Sequence, residues 1–523
     1  MRFDTATPER AAFARVFDVC VIGSGPAGIT LARQLAARGL DVALMEAGDL
    51  YWSEESQNVY VGEVTGLPYH DLDMARLRYF GGTSGHWNGA CPDLVAASFR
   101  PNPLNGAGDG WPISKADLDP YAAEAADILD LGPPVPAAVT LSDPIDGLQE
   151  SQWRQSAPTR FGDKYLDEIT AAPRIWLGLN ANLVDLRLDS DLGRVTQAVF
   201  RSYAPEDPGF TVEAPFFCLC TGGIENARLL LNFDSQVPGG IGNAHDQVGR
   251  YFCDHPGVFL GEVLFAAPPG LPDDSFFIST PEFQAEHEVL GLNFRFHARE
   301  QRKMSFFTEA ARSLECNAPF AMQVAEMLGQ KRPRCDLGGL ADWRRSLTPE
   351  RYPWARLTTN SEQALNPESR VTLGAARDPL GLRRVRLHWE LMPIDYRTLK
   401  LTTLAMGQAL AEAGIGRLRV YDWLLAEDPV LPGLDDKLGE IGAYHHMCTT
   451  RMSADPAHGV VDADCRVHGV ANLYIGGSSV FATSGFVNPT YPIVQLSLRL
   501  GDHVADQVGL TGVAAAPHPV VSR

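Results

Sequence analysis

Residues 17–28 restrict the fold of this chain more than any other segment. Residues 17–22 form an apolar run of the length a buried parallel strand needs, and residues 29–38 carry helical periodicity. Between them, Gly23-Ser24-Gly25-Pro26-Ala27-Gly28 fits the pattern G-x-G-x-x-G. The first glycine permits a tight turn, the second admits a pyrophosphate to the backbone, and the third lets helix and strand pack closely. The phosphate charge then faces a helix N-terminus, where unpaired N–H groups gather. A second strand, residues 41–45, runs into Glu46, eighteen residues beyond Gly28. A carboxylate there suits the hydroxyls of an adenosine ribose. Strand, turn, helix, strand and acid in that order predict a dinucleotide-binding domain, without separating NAD from FAD.

A chain of 523 residues, 45% hydrophobic and 21% charged, has room for two or three domains with a substantial core. Its formal charge of −20 argues against nucleic acid or an anionic membrane surface as partner. The nine cysteines are scattered, with neither zinc nor disulfide spacing. Residues 1–15 mix acids and bases around no apolar core, and no apolar run reaches membrane-spanning length. The expectation is a reduced, cytoplasmic protein.

Further along, Gly81-Gly82-Thr83-Ser84-Gly85-His86-Trp87-Asn88-Gly89 is too glycine-rich for a regular element and predicts a specialised loop. A proline- and aspartate-rich stretch, residues 101–146, holds one predicted helix at 118–131. A buried strand at 216–220 runs through Thr221-Gly222-Gly223-Ile224 into a helix at 225–232. Two strand-to-helix units so far apart predict one nucleotide-binding domain assembled from separate segments. From residue 257 the texture changes: alternation at 292–297, 370–373 and 384–390 predicts antiparallel strands, followed by a helix at 396–413. The expected fold is α/β, α+β overall. A discontinuous Rossmann-like domain takes residues 1–100, 170–256 and 435–523, and a substrate domain with a mainly antiparallel sheet backed by helices takes 101–169 and 257–434. The tail after Gly512 is expected to fray.

In this order the segments resemble the glucose–methanol–choline (GMC) oxidoreductases, FAD-dependent enzymes that oxidise alcohols and sugars. The resemblance spans nearly the whole chain. It rests on the N-terminal turn, the 81–89 loop, Thr221-Gly222-Gly223-Ile224-Glu225-Asn226-Ala227-Arg228 and Asn366-Pro367-Glu368-Ser369-Arg370-Val371. It rests most on the C-terminal block: Gly459-Val460-Val461-Asp462, Arg466-Val467-His468-Gly469-Val470 and Asn472-Leu473-Tyr474-Ile475. It implies FAD rather than NAD, puts Val184 beside the adenine, and makes Gly82, Thr83, His86, Asn88, Gly477 and Pro489 cofactor contacts alongside Gly23, Gly25, Pro26, Ala27, Gly28 and Glu46.

The nearest branch by that resemblance is the pyranose oxidases and glycoside 3-oxidases. Gly477 stands where many members carry an acid. Ser84-Gly85-His86-Trp87 is similar to the loop whose histidine, in pyranose oxidases, bonds covalently to the flavin. His86 is either such a tether or a buried imidazole hydrogen-bonded within a tight loop. Asn88 replaces the threonine of pyranose oxidases, which leaves O2 and quinone both open as electron acceptor.

Oxidising a carbinol moves a hydride from carbon while the hydroxyl proton leaves, so a base must stand within hydrogen-bond reach of that hydroxyl. A neutral imidazole suits the task near pH 7, and a second polar group orients the oxygen and steadies its developing charge. His445 and Asn488 fit these roles and match the family's His–Asn pair. Register with a His-x-x-x-Thr pattern ending in Thr449 selects His445 over its neighbour His446, and adjacent side chains in an extended segment point to opposite faces. Asn488 precedes Pro489, which starts a helix at about 490–504. His255, in Asp254-His255-Pro256, is expected to be a structural hydrogen-bonder at a domain crossing. His468, Asp462 and Asp464 read as turn and cap residues, and nothing has metal-ligand spacing.

The expected activity is oxidation of a secondary hydroxyl of a sugar or glycoside to the ketone. The flavin subunit of a cytochrome-linked sugar dehydrogenase, a natural-product tailoring alcohol oxidase and a non-redox protein that merely holds FAD are the other readings. An oligomer is compatible with all of them.

Overall fold

The structure, a computed structural model, describes residues 1–106, 110–132, 147–151, 154–204, 206–266, 276–298, 354–433 and 442–510. Its central sheet is six-stranded and wholly parallel, in the order Arg2–Asp4, Ile175–Leu179, Val42–Met45, Val19–Ile22, Phe216–Leu219, Leu473–Ile475. Val19–Ile22, Val42–Met45 and Phe216–Leu219 are buried at every position, as strands covered on both faces must be. The order reverses at Val19–Ile22, where Val21 pairs with Leu44 on one side and Cys218 on the other. A sheet of this kind leaves a crevice at the carboxyl ends of its strands, at the reversal. The helix Pro26–Ala37 fills one face and packs against the C-terminal helix Thr490–Leu510, where Gly501 approaches the Gln34 side chain.

A second six-stranded sheet is antiparallel throughout, in the order Gly416–Val420, Gly257–Phe265, Trp354–Ser361, Leu292–Ala298, Phe276–Ser279, Leu148–Ser151. The helix Pro393–Glu412 backs it, bringing Gly407 against Leu418 and burying Leu399, Met406 and Leu410.

Three expectations need correction. The strands Arg370–Arg377 and Arg383–Trp389 are not part of this sheet; they form a separate three-stranded sheet with Glu63–Gly66, which lies some three hundred residues away in sequence. The helix expected at 118–131 is only Ala122–Ile128, preceded by 3-10 turns, because Pro120 interrupts the ladder and Asp130 takes a left-handed conformation. The strand expected at 216–220 ends at Leu219, which leaves the buried Cys220 just beyond it. Residues 133–146, most of the other part of that stretch, and the tail after Gly512 lie outside the described residues.

Candidate active site

The crevice at the sheet reversal opens into a cavity of about 920 Å³ that runs on to the antiparallel sheet. Gly23, Gly25, Pro26, Ala27, Glu46, Gly82, Thr83, His86, Asn88, Gly477 and Pro489 line it, as do His445, His446 and Asn488. Arg295, His297, Thr358 and Asn360 come from the antiparallel strands.

The three glycines of the first turn differ in what surrounds them. Gly23 is left-handed at φ 101°, and a β-carbon on it would stand 2.5 Å from the Cys220 carbonyl oxygen of the neighbouring strand. A β-carbon on Gly28 would overlap the Gly23 carbonyl oxygen, so this glycine serves packing and does not line the cavity. A β-carbon on Gly25 would meet no protein atom within 4 Å beyond its chain neighbours. Backbone exposed at the start of a helix, with open space before it, is what a pyrophosphate needs. Glu46 is buried; it accepts from Ser24 N at 3.1 Å and Ser24 Oγ at 2.6 Å through one oxygen, and from Gly48 N at 2.8 Å through the other. An ionised carboxylate offers about four acceptor sites, which leaves capacity for a ribose hydroxyl.

Val184 does not line the cavity; Ala181 and Leu183 do. One step along the strand Asn182–Leu188 turns a side chain to the other face, and the sequence motif did not fix that parity. The residues present, with an open phosphate turn, an anchored acid and a second glycine turn at Gly222 and Gly223, fit a dinucleotide of the FAD type.

At the far end, Tyr444 and Cys448 sit at φ 60° and 69°, uncommon for residues with side chains. Both His445 and His446 line the cavity, the His445 ring against His255 and the His446 ring against Tyr69 and Phe252. Asp254 holds this geometry: its buried carboxylate accepts the N–H groups of Ala443 at 3.1 Å, Tyr444 at 3.0 Å and His445 at 2.9 Å, and also the Tyr69 hydroxyl. Nδ1 of His445 lies 2.9 Å from Nδ1 of His255, while Nε2 of His445 has no hydrogen-bond partner among the described residues. Burial first, then His255, His446 and Arg295, keep the pKa of His445 well below the ordinary histidine value. Burial likewise brings His446 down to about 3, and its Nε2 is buried without a partner among the described residues.

Asn488 is buried and its side-chain oxygen has no partner among the described residues, which leaves the carboxamide available to a ligand in the cavity. It immediately precedes Pro489 and the helix Thr490–Leu510. The 81–89 loop is fixed by Arg160, which donates to the Ser84 and Trp87 carbonyls, both at 2.8 Å. The His86 imidazole hydrogen-bonds to nothing among the described residues, and burial and Arg160 lower its pKa. No group of three or more His, Cys, Asp or Glu among the described residues is arranged to hold a metal, and none of the described helices is long and apolar enough to cross a membrane.

Several lining or supporting residues escaped the sequence reading. Tyr60, Arg76 and Glu225 form part of the wall, with Arg76 4.0 Å above the Tyr60 ring and 3.7 Å from Glu225. Arg295 and Asn360 lie on strands whose alternation marks a sheet and not a site. Only Asp254 and His255 left a local sign, an acid and an imidazole next to a rigid proline.

The GMC oxidoreductase profile matches residues 366–497, and the profile described as FAD dependent oxidoreductase matches residues 18–88. The fructose dehydrogenase large subunit of Gluconobacter japonicus is 21% identical, over 94% of this chain and 98% of that one. The 6'''-hydroxyparomomycin C oxidase of Streptomyces lividus is 25% identical, over 94% of this chain and 92% of its own. The crystal structure of pyridoxine 4-oxidase from "Mesorbium loti" superposes with a TM-score of 0.53 at 16% identity, covering 93% and 98% of the two chains, a likeness of fold. Parallel crevice, glycine turns and both profile matches agree: the chain carries a GMC oxidoreductase C-terminal region and an N-terminal FAD-dependent oxidoreductase region, and is an FAD-dependent oxidoreductase.

Proposed function

We propose that the protein oxidises a secondary hydroxyl of a sugar or glycoside to the ketone, with His445 as the base and Asn488 as the group that orients the hydroxyl. The observation that carries the proposal is that an imidazole with a free nitrogen and a carboxamide with an unpartnered oxygen line the same cavity as the Gly25 turn. Bound FAD supplies the acceptor for the hydride. His445 takes the hydroxyl proton at Nε2, and its low pKa keeps the imidazole neutral and receptive near pH 7. The side-chain amide N–H of Asn488 donates to the substrate oxygen and stabilises the charge that builds there. Thr358, Asn360 and Arg295 give the substrate end a polar wall, which suits a ligand rich in hydroxyls.

Likeness to a fructose dehydrogenase subunit and to an aminoglycoside-named oxidase supports a sugar-like substrate and leaves two settings in view, a cytochrome-linked dehydrogenase and a natural-product tailoring oxidase. Anaerobic bleaching of the flavin against sugars, glycosides and simple alcohols tests the substrate class; bleaching by simple alcohols alone would overturn it. Reoxidation by air or by a quinone then distinguishes the acceptors. A covalent tie from His86 to the cofactor is supported by its place in the cavity lining, with no hydrogen bond to its ring among the described residues. The tie predicts yellow colour retained in the acid-precipitated pellet and released in His86→Ala; colour free in the wild-type supernatant contradicts it.

A further inference from the structure

We infer that His255 is a positioning residue that fixes which nitrogen of His445 carries the proton, so that the bare Nε2 faces the substrate hydroxyl. This rests on the assignment of His445 as the base.

His255 is fully buried between two loops. Its Nε2 lies 3.3 Å from the carbonyl oxygen of Ser484, and the Gly485 carbonyl is a second acceptor for the ring. A carbonyl has no proton to give, so Nε2 of His255 must be the N–H. In a neutral imidazole only one nitrogen is protonated, which makes Nδ1 of His255 a bare acceptor. That atom faces Nδ1 of His445 at 2.9 Å. Two bare nitrogens would repel at this distance, so Nδ1 of His445 carries its proton and donates it. Nε2 of His445 is then the lone pair.

Neutrality of both rings follows from their surroundings. Burial brings His255 down to about 4 and keeps His445 lower than an ordinary histidine. During turnover one proton leaves the substrate oxygen and arrives on Nε2 of His445. The new imidazolium keeps its Nδ1–H pointed at the His255 lone pair, and no other proton moves. Two loops are joined by the same ring, because Ser484 lies four residues before Asn488. The backbone of the base-bearing loop is held independently by the adjacent Asp254.

Nitrogen NMR of the FAD-bound protein, labelled with [15N]histidine and assigned by loss of signals in His445→Gln, reads the tautomer directly. The inference predicts a protonated Nδ1 and a bare Nε2 on His445; the opposite pattern overturns it. His255→Leu removes the acceptor and should slow flavin reduction about a hundredfold or more with FAD content and KM little changed. His255→Asn places an amide oxygen near the lost Nδ1 and should restore most of that rate. Equal losses in both variants, with the His445 tautomer unaltered, would reduce His255 to a packing residue and overturn the inference. Failure of the base assignment is read separately, by undiminished flavin reduction in His445→Ala.

Discussion

The carboxylate of Asp254 accepts the main-chain N–H of His445 at 2.9 Å, and the same two oxygens take the N–H groups of Tyr444 and Ala443. Five donors among the described residues converge on this buried acid, including Tyr69 and the His255 N–H at 2.7 Å. They oppose the desolvation that pushes its pKa up. The left-handed Tyr444 is held by these bonds, and the base is aimed by them.

Asp254→Asn should therefore damage both stability and rate. One acceptor becomes a donor facing N–H groups, at a cost of about 2–4 kcal/mol. We expect a lower melting temperature together with slower flavin reduction in the fraction that remains folded. Wild-type reduction kinetics in that fraction would separate Asp254 from the site.

Gly25→Ala and Gly28→Ala should fail differently. A β-carbon at position 25 meets no protein atom within 4 Å, so the variant should fold normally and lose FAD affinity. At position 28 it overlaps the Gly23 carbonyl, so the variant should be destabilised even before cofactor is considered. Thermal unfolding of the two FAD-stripped proteins, followed by FAD titration, distinguishes the cases.

Acid should destabilise the protein through its buried imidazoles. His255 and His446 are held at about 4 and about 3, against an ordinary 6.5. Below pH 6.5 the unfolded chain binds two protons that these rings refuse in the folded chain, a contribution that lowers stability toward pH 4 by up to about 2.7 kcal/mol per pH unit. The buried carboxyl of Asp395, raised to about 7, partly offsets it by taking up a proton in the folded chain. Melting temperatures from pH 8 to pH 4 should show the decline, and His446→Asn should reduce its slope by about one proton. An unchanged slope in that variant would mean that His446 does not contribute.

Much of the fold is legible in the sequence where one rule dominates. The strand, turn and helix around Gly23 are read correctly because a parallel strand must be apolar throughout and the turn needs glycine. The helix Glu225–Asn232 is read to the residue. What pairs across long separations is not legible: nothing local in Glu63–Gly66 announces Arg383–Trp389 as its partner. The same limit hid the supporting residues of the site. His255 looked like a hydrogen-bonder at a crossing, but its partner His445 lies 190 residues away. Nor does any propensity assign to tyrosine the left-handed conformation that Tyr444 takes beside His445.

The central assignment is tested most directly by stopped-flow reduction of the flavin under anaerobic conditions, in His445→Ala and His446→Ala beside the wild type. FAD content should be equal in all three. The account predicts a rate lowered about a hundredfold or more in His445→Ala, with a far smaller change in His446→Ala. Undiminished reduction in His445→Ala, or the larger loss in His446→Ala, would contradict it.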